Sequence, residues 1–223
     1  MLEAWAERVG TWLSEEALTG LLAILVLDMF VLPVLGSNIG EVTLNVVFTV
    51  LLFTGLAAVA SRGIASVVVG ILVVAAVILK WIAPVRGLPG TPVTAAGAAV
   101  VVFGIFTLLV LLRTLSPGPI TRQRIEGAVA AYLLMAGTFG LAFELLELLR
   151  PGSFAFAAGR PEDTQRAIGY FSMVTLTTVG YGDVTPVSVL ARRLAMFEGV
   201  IGQLYPAIII GSMVSSLRPR RSG

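Results

Sequence analysis

The chain has 223 residues, of which 57% are hydrophobic and 13% charged, and its formal net charge is +2. Soluble domains run about 25% charged, so composition predicts a membrane protein and excludes the strongly basic surface of a nucleic-acid binder. With no cysteine and no histidine, disulfides, Cys/His zinc sites, thiol nucleophiles and a histidine general base are excluded. No catalytic residues, no resident cofactor and no nucleic-acid partner are expected.

Residues 1–16, "MLEAWAERVGTWLSEE", lack a basic start followed directly by an apolar run, so they read as an amphipathic segment and not a signal peptide. Four apolar stretches follow, 17–35, 42–60, 64–83 and 92–112, each near the roughly 20 helical residues that a bilayer core about 30 Å thick requires. "GSNIGE", "SRG" and "PVRGLPGTP" separate them, as turn chemistry demands. Residues 17–113 thus form a four-helix transmembrane domain. Asp28 lies well inside the first stretch, and the fourth is uncharged up to Arg113 at its end.

A linker over 114–124, "TLSPGPITRQR", interrupts any continuous helix. Two further apolar stretches follow at 125–148 and 187–217, and the chain closes on a basic tail, 218–223. Glu144 and Glu147, near the end of the fifth stretch, read as residues snorkelling to the interface. Loop charge hardly decides orientation: an even number of spans puts eight Lys/Arg on one side and seven on the other.

Between the last two stretches stands "TLTTVGYGDVTP", residues 175–186. The preceding "EDTQRAIGYFSMVTLT" reads as a short helix opened by Glu162, Asp163 and Thr164, where acids and a hydroxyl complement the helix dipole. It is too short to span. Gly180 and Gly182 are poor helix formers, and they relax the φ restriction so that successive carbonyls can turn toward one axis. Val179 and Tyr181 are then expected to point away, into packing that holds the strand. Non-helical backbone at membrane depth is tolerated only where protein buries it or it lines a water-filled path.

Residues 175–186 closely resemble the signature of potassium channels, whose filters carry "TVGYG". Residues 125–217 resemble the pore module of helix, re-entrant loop and helix. The resemblance is to prokaryotic six-transmembrane potassium channels of the tetrameric P-loop superfamily. It implies an all-α membrane protein with six transmembrane helices, and a re-entrant pore helix and selectivity-filter loop between helices five and six. The carbonyls of Thr178, Val179, Gly180 and Tyr181 are then expected to bind permeating potassium, with the Thr178 hydroxyl completing the innermost site. Gly182 and Asp183 fall at the outer mouth, and Tyr170 is placed to bond Asp183. Val174 stands where some relatives carry a glutamate, so that carboxyl pair is missing.

On the last helix, family register makes Gly202 either a hinge or a close helix contact, with Gly199 as one candidate neighbour. Gln203, Pro206, Ile210 and Val214 share one helical face, which register turns toward the cavity. Pro206 removes the hydrogen bond to residue 202 and favours a bend. Ile210 and Val214 either constrict the cavity or merely line it. Glu198, one turn before Gly202, is either a buried structural hydrogen bond or a gating or filter-support residue. The resemblance further implies a homotetramer in a cell membrane with both termini cytoplasmic. The fourth stretch lacks the arginine ladder of voltage-sensing relatives, so weak or no voltage dependence is expected. A weakly selective cation channel and a non-conducting sensor or assembly subunit are the alternative readings.

Overall fold

The structure, a computed structural model, describes residues 17–34, 41–59, 64–86, 91–116, 120–161 and 163–216. The amphipathic segment, the basic tail and Glu162 lie outside the described residues.

Helix α1 covers Ala17–Val34, α2 Glu41–Val59, α3 Ile64–Arg86 and α4 Thr91–Leu115. After α5 (Arg122–Leu149) come β1 (Phe154–Phe156), α6 (Thr164–Leu176), β2 (Val184–Pro186) and α7 (Val189–Ser216). Four of these helices, α1, α4, α5 and α7, are long and apolar enough to cross a membrane. The chain is therefore an all-α, multi-pass membrane protein. Among the described residues α2 and α3 carry shorter apolar stretches, Asn45–Ala57 and Val67–Trp81.

Local chemistry explains the element ends. Leu27–Val31 of α1 widens into a π turn, and the Leu32 N–H reaches back to the Leu27 carbonyl. Pro33 has no N–H for the Met29 carbonyl and its ring crowds that oxygen, and a wider turn relieves both problems. Thr121 caps α5 by accepting from the Arg124 N–H at 3.3 Å, and Asp163 caps α6 by accepting from the Arg166 N–H at 2.9 Å. Both satisfy donors that a helix start leaves unpaired. At 13 residues, α6 is about 20 Å long and cannot span.

The small sheet was not expected from the sequence. β1 and β2 pair antiparallel, with Phe154 opposite Pro186 and Phe156 opposite Val184. Three residues per strand give too little alternation to read as strand. The pair ties the approach to α6 to the segment that leaves it.

Glu147 departs from the interface position expected of it. It is 4% exposed and does not snorkel. Its carboxylate accepts from the Gly152 N–H at 3.0 Å, the Ser153 N–H at 2.9 Å and Arg160 Nη1 at 2.9 Å. A buried carboxylate needs such partners, and these three fold the turn that leads into β1. Glu144 is half-buried and accepts from Gln165 Nε2 of α6 at 2.9 Å.

Two apolar clusters hold the chain. The larger joins α1–α5 through Leu21, Leu25, Leu52, Val73, Phe106 and Leu134, and reaches Leu176, Tyr205 and Ile209. The smaller surrounds α6 with Phe143, Ile168, Phe171, Phe154 and Val184. In it Phe143, Phe154 and Phe171 meet edge to face at centroid distances of 5.2 to 5.5 Å. α4 packs most extensively on α5, and α6 lies between α5 and α7.

Candidate functional site

The site begins where α6 ends. A helix C-terminus leaves its last carbonyls without partners, and here the following strand supplies them. Thr177 N–H bonds the Met173 carbonyl at 3.0 Å, Thr178 N–H that of Thr175 at 3.0 Å, and Val179 N–H that of Val174 at 3.0 Å. Gly180 N–H also reaches the Val174 carbonyl, at 3.4 Å. Val174 thus supports the strand through its backbone oxygen.

The strand's dihedral angles alternate. Thr178, Gly180 and Gly182 have φ of 60°, 58° and 81°, while Val179 and Tyr181 keep ordinary negative φ. Reversing the sign of φ at every second residue turns successive carbonyls toward the same side, whereas an ordinary strand alternates them. Among the described residues no N–H or hydroxyl donates to the carbonyls of Thr178 through Gly182. Glycine adopts positive φ without strain. Thr178, being β-branched, does not, and nothing in its own preference announces it. The structure holds it there between the Thr175 and Val174 bonds.

Where Asp183 follows, its carbonyl accepts from the Ala157 N–H at 2.9 Å, and its carboxylate accepts from the Val184 N–H at 3.1 Å. The Tyr170 hydroxyl donates a side-chain hydrogen bond to the same carboxylate, the pairing expected from the sequence. The β1–β2 pair therefore fixes the far end of the strand as α6 fixes the near end.

The expected packing of Val179 and Tyr181 is not made among the described residues of one chain, where they are 52% and 72% exposed.

The inner end of α6 is held from two sides. A Cβ placed on Gly202 of α7 would lie 1.9 Å from the Leu176 carbonyl oxygen, so this glycine is a close helix contact. Its neighbour is Leu176 and not Gly199, around which a Cβ would meet nothing within 4 Å. From α5, the Tyr132 hydroxyl donates to the same Leu176 oxygen at 3.2 Å. Tyr132 also stacks on Tyr205 of α7 at 5.6 Å, and the Tyr205 hydroxyl donates to the Ala128 carbonyl at 2.7 Å. Sequence reasoning missed both tyrosines, whose partners lie 44 and 77 residues away.

α7 is sharply two-sided. Ala191, Glu198, Gly202, Tyr205 and Ile209 are buried against the chain, whereas Gln203, Pro206, Ile210 and Val214 are all exposed. The helix continues through Pro206 to Ser216.

A short re-entrant helix returning as a strand of aligned, donor-free carbonyls between two long apolar helices defines a pore-loop architecture. Residues 154–218, from β1 through α7, match the family described as "Ion channel". The chain is 38% identical over 85 residues to the rice (Oryza sativa subsp. japonica) protein Two pore potassium channel c, covering 38% of this chain and 17% of that one. Protein LctB of Bacillus caldotenax is 29% identical over 117 residues, 50% of this chain and 86% of LctB. The Inward rectifier potassium channel Kirbac3.1 of Paramagnetospirillum magnetotacticum is 33% identical over 81 residues, 34% of this chain and 24% of that one. The match thus spans less than a fifth of the rice relative's length. No solved structure matches.

Proposed function

We propose that the chain is one subunit of a potassium-selective channel, with residues 178–182 as its filter and passive potassium conduction as its activity. One observation carries this reading: five consecutive residues with alternating φ present carbonyls that no group among the described residues satisfies. Unsatisfied carbonyls in an apolar medium are costly, and rings of such oxygens replace the hydration shell of a potassium ion in filters of this sequence. Thr178, Val179, Gly180 and Tyr181 provide the ion sites, with Gly182 and Asp183 at the outer mouth and Tyr170 bracing Asp183. The names of the rice and Paramagnetospirillum relatives, both potassium channels, support the ion's identity.

One strand cannot ring an ion, and closed cyclic symmetry supplies the rest. Four copies around one axis give the exposed Val179 and Tyr181 side chains neighbours, and turn the Gln203, Pro206, Ile210 and Val214 face onto a shared cavity. At 19 and 23 residues, α2 and α3 are about 28 and 35 Å long, which supports six spans; an even number of spans brings both termini to one side, the cytoplasmic side in this reading. Potassium flux from the purified protein in liposomes, together with the native mass of the particle, tests this reading. Four chains and potassium-selective flux are expected. A protein that conducts nothing supports the alternative of a sensor or assembly subunit, and equal sodium flux supports a weakly selective cation channel.

A further inference from the structure

Behind the strand, three helices meet at one hydroxyl. Ser172 Oγ of α6 lies 2.7 Å from the Ala136 carbonyl oxygen of α5 and 2.5 Å from Glu198 Oε1 of α7. Ser172 and Glu198 are both 0% exposed. The approach is possible because glycines face each other across α5 and α6: a Cβ on Gly140 would lie 3.4 Å from the Gly169 Cα.

Both separations are hydrogen-bond distances, and each needs a hydrogen between its two oxygens. The carbonyl brings none and the serine hydroxyl brings one. The second hydrogen must sit on Glu198. The chain of donation then runs from the Glu198 carboxylic acid to Ser172 Oγ, and from the Ser172 hydroxyl to the Ala136 carbonyl. An ionised Glu198 would set two acceptors competing for one hydroxyl.

The surroundings agree. Glu198 Oε2 is buried and has no hydrogen-bond partner, and none of the ion pairs among the described residues involves Glu198. An orphaned neutral carbonyl oxygen is far cheaper to bury than half of an uncompensated carboxylate. From α5, the Tyr132 phenol lies within electrostatic range of Glu198. From α6, the group facing it is Ser172. Neither supplies a positive charge.

The position matters as much as the proton. Ser172 sits one turn before Leu176, the α6 terminus, and Glu198 sits one turn before Gly202, which touches Leu176. The last turn of α6 in turn holds the N–H groups of Thr177 through Gly180. We propose that Glu198 works as a neutral carboxylic acid, a positioning residue that clamps the pore helix to both flanking helices and so fixes the filter strand. The role in conduction rests on the channel reading above; the protonated clamp does not.

The full-length protein in liposomes provides the test. Infrared difference spectra of wild type against Glu198→Gln at neutral pH are expected to show the carbonyl stretch of a protonated carboxylic acid, lost in the variant. Its absence overturns the proposal. Glu198→Gln keeps an N–H for Ser172 and is expected to retain wild-type melting and flux. Glu198→Leu, similar in size but without a donor, is expected to melt lower and to lose flux by about tenfold, roughly what one strong hydrogen bond is worth. Alkaline pH is expected to lower wild-type flux and to leave the Glu198→Gln variant flat. A leucine variant that melts and conducts like glutamine, or matching alkaline profiles, overturns the clamp. If wild type conducts nothing, the channel reading fails, while the infrared band and the melting order still decide the clamp.

Discussion

Helices α1–α4 meet mostly through aliphatic and aromatic contacts, whereas α5–α7 meet through hydrogen bonds and backbone approaches that single atoms decide. In the first region α2 and α3 share Trp81 Nε1 donating to Thr49 Oγ1 at 3.1 Å and Lys80 over the Phe48 ring at 5.8 Å. α2 and α4 meet where a Cβ on Gly55 would lie 2.7 Å from Phe106. In the second, Tyr132, Tyr205, Ser172 and Gly202 each engage a backbone oxygen of another helix. Lipid tails are as apolar as leucine, so helices in a membrane associate by van der Waals fit and polar contacts. Fit among flexible side chains survives volume-conserving change. A bond to one carbonyl does not.

The comparison predicts a steep order of damage. The largest loss is expected from Gly202→Val, whose Cβ falls 1.9 Å from the Leu176 oxygen, a backbone atom with no rotamer to yield. Folded yield and flux should both collapse. A Gly55→Ala change meets the side of the Phe106 ring, a side chain that can tilt, at 2.7 and 2.8 Å, and should leave a folded, conducting protein with lowered stability. Equal damage from both would erase the distinction between the two regions.

Gly180→Ala comes next. Space is open around it, but φ is +58°, and a Cβ in the left-handed region costs roughly 1–2 kcal/mol. The strand is expected to shift and the potassium over sodium preference to fall. Thr178 already holds a Cβ at φ 60°, so Thr178→Ala removes a hydroxyl without new backbone strain and should weaken only the innermost site. Ion preference measured in both variants checks the order, and Thr178→Ala doing the greater harm would invert it.

Glu147→Ala removes the acceptor of three hydrogen bonds in the turn before β1. Bonds to charged groups contribute about 1.5–3 kcal/mol, so denaturation should show a loss of about that size while ion preference stays intact. Altered selectivity would mean that the β1 turn governs the filter more directly than its distance in the chain suggests.

The smallest effect should come from membrane voltage. One charge crossing the field is worth about 2.3 kcal/mol per 100 mV, and α4 has a single charged residue, Arg113 in its last turn. Open probability is expected to vary with voltage as shallowly as about one gating charge or fewer per subunit gives. A sigmoid as steep as an arginine-ladder sensor produces would show that α1–α4 do more than their side chains suggest.

How much of this the sequence discloses follows the same division. Run length and turn residues located the helices, because apolar length is a local property, and Asp163 announced the start of α6 because a cap acts within one turn. "GYG" disclosed two of the three positive-φ positions in the strand over 178–182. Thr178 hid the third, since its conformation is imposed by α6 and not by its own preference. Glu147 read as an interface residue because its partners in the following turn are backbone N–H groups, which every residue carries. Gly202 lay open between hinge and contact until Leu176, distant in sequence, was placed against it. Local chemistry was legible; contacts made by long return of the chain were not.

On the proposed function, the backbone of residues 178–182 selects potassium. The reversal potential of reconstituted channels between equimolar potassium and sodium measures this directly. A tenfold preference corresponds to about 59 mV for a monovalent ion, and wild type is expected to exceed that shift in the potassium-selective direction, with Gly180→Ala moving it toward zero. A wild-type reversal potential near zero, or one that Gly180→Ala leaves unchanged, would contradict the account.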